Sequence, residues 1–95
     1  MTTVYITAWE SAAEVALGDP IQYTAATIDG ANSNPIIGDG KKRRRVRLYP
    51  LVNCWIKYGA APVATGSGDS IALGANNPEY FDIEAGYVVT AITRA

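Results

Sequence analysis

Between Thr3 and Trp9 the side chains alternate, with Val4, Ile6 and Ala8 on one side and Tyr5, Thr7 and Trp9 on the other. A period of two is the mark of a half-buried strand. Ile21–Ile28 is rich in Thr, Ile and Tyr and follows the turn signal Gly18-Asp19-Pro20, so it reads as a second strand. Arg43–Tyr49 and Leu51–Tyr58 are two further strand-like runs divided by Pro50. Proline lacks a ladder donor, and Pro50 therefore marks a bend or a sheet edge. Ser70–Leu73 is a short strand, and Glu79–Ile83 and Tyr87–Thr93 flank Glu84-Ala85-Gly86, which has the look of a tight hairpin. Residues Asp29–Gly40 are crowded with Gly, Asn and Asp and read as a long loop.

Seven or eight short strands at this spacing predict an all-β fold. The expected architecture is a single small antiparallel β-sandwich or jelly-roll-like barrel, one domain over residues 1–95. One stretch argues otherwise. Ser11-Ala12-Ala13-Glu14 fits a capping box and Gly18 sits where a helix stops. Two turns of helix are marginal without packing, and we read Ser11–Leu17 as strand, with helix as the alternative.

Size and composition narrow the chemistry. A chain of 95 residues buries only ~60–65% of the surface its unfolded form exposes, and small domains draw support from disulfides, metals or partner subunits. Cys54 is the only cysteine and there is no histidine, which leaves oligomerisation as the expected support. Catalysis has little to work with: no histidine is present for acid–base chemistry, and Cys54 falls in the alternation Val52, Cys54, Ile56, Tyr58, as a buried inert thiol would. Neither Gly66-Ser67-Gly68 nor Gly38-Asp39-Gly40-Lys41-Lys42 has phosphate-loop spacing. Asp29, Asn32 and Asn34 carry oxygens that calcium accepts, but turn chemistry accounts for them with less effort. We expect no enzyme activity, cofactor or metal. No apolar run approaches the ~18–20 residues that span a bilayer, and the start MTTVYITAWE does not read as a signal peptide. A lone thiol points to a reducing cytoplasm.

Charge changes the picture most. Six of the eight basic residues fall between Lys41 and Arg47, and outside that run nine acids face two bases, Lys57 and Arg94. The chain is a mildly acidic body with one concentrated positive site, suited to a directional contact. On an extended segment Arg43, Arg45, Arg47 and Tyr49 share one face, while Val46 and Leu48 point to the core. Same-face residues lie ~7 Å apart, so the guanidinium row costs stability unless acidic groups or anions meet it. Three readings compete: a solvated sheet edge guarded by charge, a nucleic-acid contact with stacking by Tyr49, Trp55 or Tyr58, and a protein surface presenting carboxylates. Arginine's planar fork pairs bidentately with carboxylate, and the acidic remainder opposes phosphate, so a protein partner is preferred and nucleic acid disfavoured. Asp82 and Glu84 read as solvated carboxylates or as acids answering the row of a neighbouring copy. Trp55, opposite in direction to Cys54 and Ile56, is a candidate interface anchor, as is Tyr80.

The stretches VRLYPLVNCWIKYGAAPVAT and NNPEYFDIEAGYVVTAI resemble a group of small tailed-bacteriophage virion proteins. The matching features are Val46-Arg47-Leu48, Cys54-Trp55-Ile56, Tyr58-Gly59, Pro62-Val63-Ala64-Thr65, Pro78-Glu79-Tyr80-Phe81 and Gly86. They cover about half of the chain and are structural in kind. The dense run Lys41–Arg45 departs from the single arginine usual there. The resemblance implies a capsid decoration (cement) protein: a rigid non-enzymatic β-domain, a homo-oligomer (dimer or trimer), docked on the outer surface of the major capsid protein lattice. It would occupy the virion surface and pass through the host cytoplasm during assembly. The alternatives are another virion part, such as a tail or head–tail joining protein, and a single-stranded nucleic-acid binder using the basic strand.

Overall fold

The computed structural model describes residues 2–40, 42–66 and 68–94, and these form seven strands and one short helix. In order these are β1 (Thr3–Trp9), α1 (Ala12–Leu17), β2 (Gln22–Thr27), β3 (Arg43–Pro50), β4 (Cys54–Gly59), β5 (Ile71–Leu73), β6 (Glu79–Glu84) and β7 (Val88–Thr93). All pairings are antiparallel. One sheet has the order β2-β1-β3-β6 and the other β5-β4-β7. Lys41, the first residue of the basic run, and Ser67, between two glycines, lie outside the described residues.

The two sheets close on one core. Val4, Ile6 and Ala8 of β1, Val46 and Leu48 of β3 and Ile83 of β6 meet Cys54 and Ile56 of β4, Leu73 of β5 and Val89 of β7, all buried. Each is the inward member of an alternating strand, which is why the sequence pattern and the layer structure agree. Burying a side chain of this size contributes ~1.5–3 kcal/mol. Tyr58 and Phe81 bring their rings together across the layers, with centroids 6.0 Å apart. The chain is thus an all-β sandwich, as its pattern predicts.

Three expectations need correction. Residues 12–17 are α-helix, not strand: the local start and stop signals prevail because α1 packs on β1 and β3, supplying the tertiary support that two isolated turns lack. Glu84-Ala85-Gly86 does form a tight turn, with the Tyr87 N–H bonded to the Glu84 carbonyl at 3.2 Å. It is no hairpin, however, because β6 and β7 belong to different sheets; the turn is an arch over the edge of the core, and buried Ala85 fills it. Finally, residues 29–40 are more than a loop. Asp29, Ser33 and Ile36 donate their N–H groups to the carbonyls of Ala91, Val89 and Tyr87 at 2.8, 2.9 and 2.9 Å. This irregular segment therefore runs along the free side of β7 and satisfies its ladder.

Side chains fasten the same segment. Ser33 is buried and its Oγ accepts the Val89 N–H at 2.8 Å. Ile36 is 1% exposed and belongs to the core. The Gln22 amide bridges the Pro35 carbonyl and the Ile37 N–H, each at 2.9 Å. Asp29 accepts both the N–H and the hydroxyl of Thr93. Those two bonds, the hydroxyl first, hold its carboxyl below the ordinary range. The oxygens weighed at sequence level as calcium ligands include a carboxylate already engaged in tying β7 to this segment, and no cluster of three metal-binding side chains occurs among the described residues.

Pro50 ends β3 without harm. Its missing N–H would point toward β6, and β6 begins only at Glu79, opposite Leu48. Beyond that point the Pro50 carbonyl takes the Asn76 N–H at 2.8 Å. The proline thus sits at a strand end where no ladder donor is required.

Candidate functional site

The arginine strand lies inside the larger sheet, between β1 and β6. Register sets its neighbours. Arg47 stands between Thr7 and Tyr80, Arg45 between Trp9 and Asp82, Arg43 opposite Glu84, and Tyr49 opposite Tyr5. Tyr23 of β2 follows Thr7 in the same row. All of these side chains leave the sheet on the face away from the core, so the row expected from alternation is present. Around it stand four of the six tyrosines of the chain, Tyr5, Tyr23, Tyr49 and Tyr80. Tyr23 is 74% exposed, Tyr5 51% and Tyr80 45%.

The arginines are not equivalent. Arg45 Nε donates to Asp82 Oδ1 at 2.8 Å. The acid that neutralises it comes from its own chain, and the expectation that every arginine of the row awaits another polypeptide is corrected at this position. Both members of the pair are partly solvated, so the pair adds little to stability. A double-mutant cycle on Arg45→Ala and Asp82→Ala is expected to give a coupling of ~1 kcal/mol or less; a coupling of several kcal/mol in chemical unfolding would contradict this. Arg43 is exposed at the end of the row. Arg47 is half-buried between Thr7 and Tyr80, and its Nε is buried with no hydrogen-bond partner among the described residues. A buried donor left unmatched is costly. Arg44, on the opposite side of the strand, donates to the Ile37 carbonyl at 3.1 Å and helps hold residues 36–38 in place.

Aromatic packing stiffens the face. Trp9 is buried although it points away from the core, and its ring centroid lies 6.3 Å from that of Tyr80. Thr7, between Tyr23 and Arg47 in the row, is buried as well. On the outer surface of the sheet Trp9 and Thr7 are thus covered, while Tyr5, Tyr23 and Tyr80 stay exposed.

Trp55 belongs elsewhere. It points outward from the smaller sheet, between Ala72 and Ile92. The Arg94 guanidinium lies over its ring, 6.0 Å from the centroid. Gly66 packs against the indole so closely that a Cβ there would stand 3.2 Å from Nε1. The chain itself thus covers much of Trp55, and the structure does not join it to Arg43, Arg45, Arg47, Tyr49 and Tyr80. Tyr5 and Tyr23, which sequence reasoning did not select, do join them. For Tyr5 the signal was available, since it lies opposite the Val4, Ile6 and Ala8 side of an alternating strand; Tyr23 shares its side with Ile21 and Ala25, and only its pairing with Thr7 brings it into the row.

Cys54 is fully buried, and loss of solvation pushes its thiol up to about 11 against a smaller opposing pull from Arg94. Such a thiol is protonated and packed, as the alternation predicts. No pocket opens among the described residues.

No family model, no curated protein and no solved structure matches this chain.

Proposed function

We propose that the protein is a non-enzymatic virion structural protein of the capsid-decoration type, a homo-oligomer that binds the outer surface of the major capsid protein lattice through the outer face of its four-stranded sheet. The observation that carries this reading is the composition of that face. Three exposed tyrosines and the partly buried Tyr49 surround an arginine row in which, among the described residues, only Arg45 has a carboxylate partner. Tyrosine and arginine are enriched among the residues that dominate protein contacts: tyrosine brings large area with few rotatable bonds, and arginine brings a planar fork of directed hydrogen bonds. The face sits on paired strands of a sandwich, so its groups are positioned before any partner arrives.

In this reading Arg43 and Arg47 engage acidic groups of the shell, and Tyr5, Tyr49 and Tyr80 supply the apolar contact. Arg45 and Asp82 fix the spacing between them. A modest affinity at each site is enough, because an oligomer that reaches several capsid subunits gains from effective concentration. The lattice is proposed from the resemblance of the quoted motifs to phage virion proteins, and the means of attachment from the composition of the face.

The test uses the double variant Arg43→Ser with Arg47→Ser, mixed with purified heads of the phage whose genome encodes the chain. Unchanged circular dichroism with loss of particle occupancy is expected. Normal occupancy of the folded variant would overturn the assignment of this face. Absence of the wild-type protein from particles would overturn the capsid reading. Binding of single-stranded oligonucleotides that weakens steeply with salt would do the same in favour of nucleic acid.

A further inference from the structure

A sandwich has free strand edges, and each exposes backbone groups that seek a partner. In this protein the edges are treated differently. The free side of β7 is covered by residues 29–36. β5 has three residues. The free side of β6 carries Tyr80, Asp82 and Glu84, so pairing with a second β6 about Asp82 would set carboxylates against each other. β2, with the sequence QYTAAT, has six residues and neither charge nor proline.

The hydrogen-bond phase of β2 tells which groups are free. The Ile28 N–H bonds the Thr2 carbonyl at 2.8 Å, so pairs in that phase, Ala26 with Val4 and Thr24 with Ile6, are the bonded ones in this antiparallel ladder. Tyr23, Ala25 and Thr27 therefore turn their N–H and C=O outward. Thr27 is already satisfied, since its N–H bonds Ala31 at 2.9 Å and its carbonyl accepts Gly30 at 3.0 Å. Tyr23 and Ala25 remain, both exposed.

We infer that β2 is the self-association edge, pairing antiparallel with β2 of a second copy about a two-fold axis at Thr24. In that register Tyr23 faces Ala25 of the other copy, and the reverse. The four backbone groups left open on each copy are all matched, and no group already bonded is disturbed. The large Tyr23 ring meets the small Ala25 side chain twice, which is the self-complementarity a two-fold contact requires. The two four-stranded sheets become one sheet of eight. A shift of one pairing step either way sets Tyr23 against Tyr23 or calls on Thr27, whose groups are taken.

The inference depends on the proposed reading only for the existence of a homo-oligomer, not for the capsid. The full chain is examined alone by sedimentation. Wild type is expected to be dimeric, and Ala25→Lys, which sets a charge on the edge, to weaken association by about tenfold or more. Thr24→Cys is expected to form a disulfide-linked dimer on mild oxidation, because residues at a non-bonded antiparallel pair approach to about 4.5–5.5 Å between Cβ atoms. Asp82→Cys, on the acidic edge, is expected to stay unlinked. A monomeric wild type, an Ala25→Lys variant that sediments like wild type, or equal linking through Asp82→Cys would overturn the inference. Should Ala25→Lys fail to fold, the two cysteine variants decide. Dimerisation is read without particles, so a failed capsid assay leaves it standing.

Discussion

Replacing Ile36 with alanine is expected to destabilise the protein by ~2–5 kcal/mol, as much as a change in a central strand. Ile36 lies outside every strand, yet it is buried in the common core. Its N–H and carbonyl pair with the arch, bonding the Tyr87 carbonyl at 2.9 Å and the Gly86 N–H at 2.7 Å. Held from both sides by backbone bonds, the segment cannot collapse into the space an alanine would leave, which places the change at the costly end for such substitutions. Urea unfolding should show a fall in midpoint of roughly 1–3 M. The neighbour Ile37 is 45% exposed, and its alanine variant should stay within ~0.5 kcal/mol of wild type. Equal effects at the two positions would mean that residues 29–36 are a passive loop.

The second large effect is expected at Gly38. Its φ of +139° is open to glycine and strained for other residues. A Cβ there would stand 2.7 Å from an Arg44 guanidinium nitrogen and 2.9 Å from Ala85 Cβ. Arginine can swing aside, but Ala85 is locked in the arch. Gly38→Ala should therefore cost ~2–4 kcal/mol, combining backbone strain with overpacking. Gly40 provides the control. Its φ is +57° and nothing lies within 4 Å of the added carbon, so Gly40→Ala should show only the left-handed penalty of ~1–2 kcal/mol. Thermal unfolding of the two variants separates strain from contact. A Gly38 variant no worse than the Gly40 variant would show that the arch yields.

The strands were legible because their signal is local. Thr3–Trp9 and Arg45–Tyr49 alternate, and a two-residue period depends on nothing outside the segment. What escaped was whatever depends on distant chain. Residues 29–36 carry turn-forming side chains, and their pairing with β7 rests on Ser33 and Val89, 56 positions apart. The Glu84-Ala85-Gly86 turn has the composition of a hairpin, while the destination of β7 is fixed by β4, not by the turn. Helix α1 is illegible for a related reason, since its support comes from β1 and β3. The candidate site divides along the same line. The shared face of Arg43, Arg45, Arg47 and Tyr49 follows from spacing alone. The acid beside Arg45 does not, nor does the company of Tyr5 and Tyr23, because register between strands set those. Alternation turns Trp55 outward but does not reveal its covering, which comes from Gly66 and Arg94.

The arrangement of strands also bears on how the molecule comes into being. β3 finds its second neighbour only when β6 is available, and Asp29 finds Thr93 across 64 positions. Closing such long loops before any reward arrives places the chain among slow folders, on the order of milliseconds to seconds. Until β6 docks, β3 has β1 on one flank and unpaired backbone on the other. The cationic side chains on that open strand oppose its pairing with the same strand of another molecule until β6 takes the place.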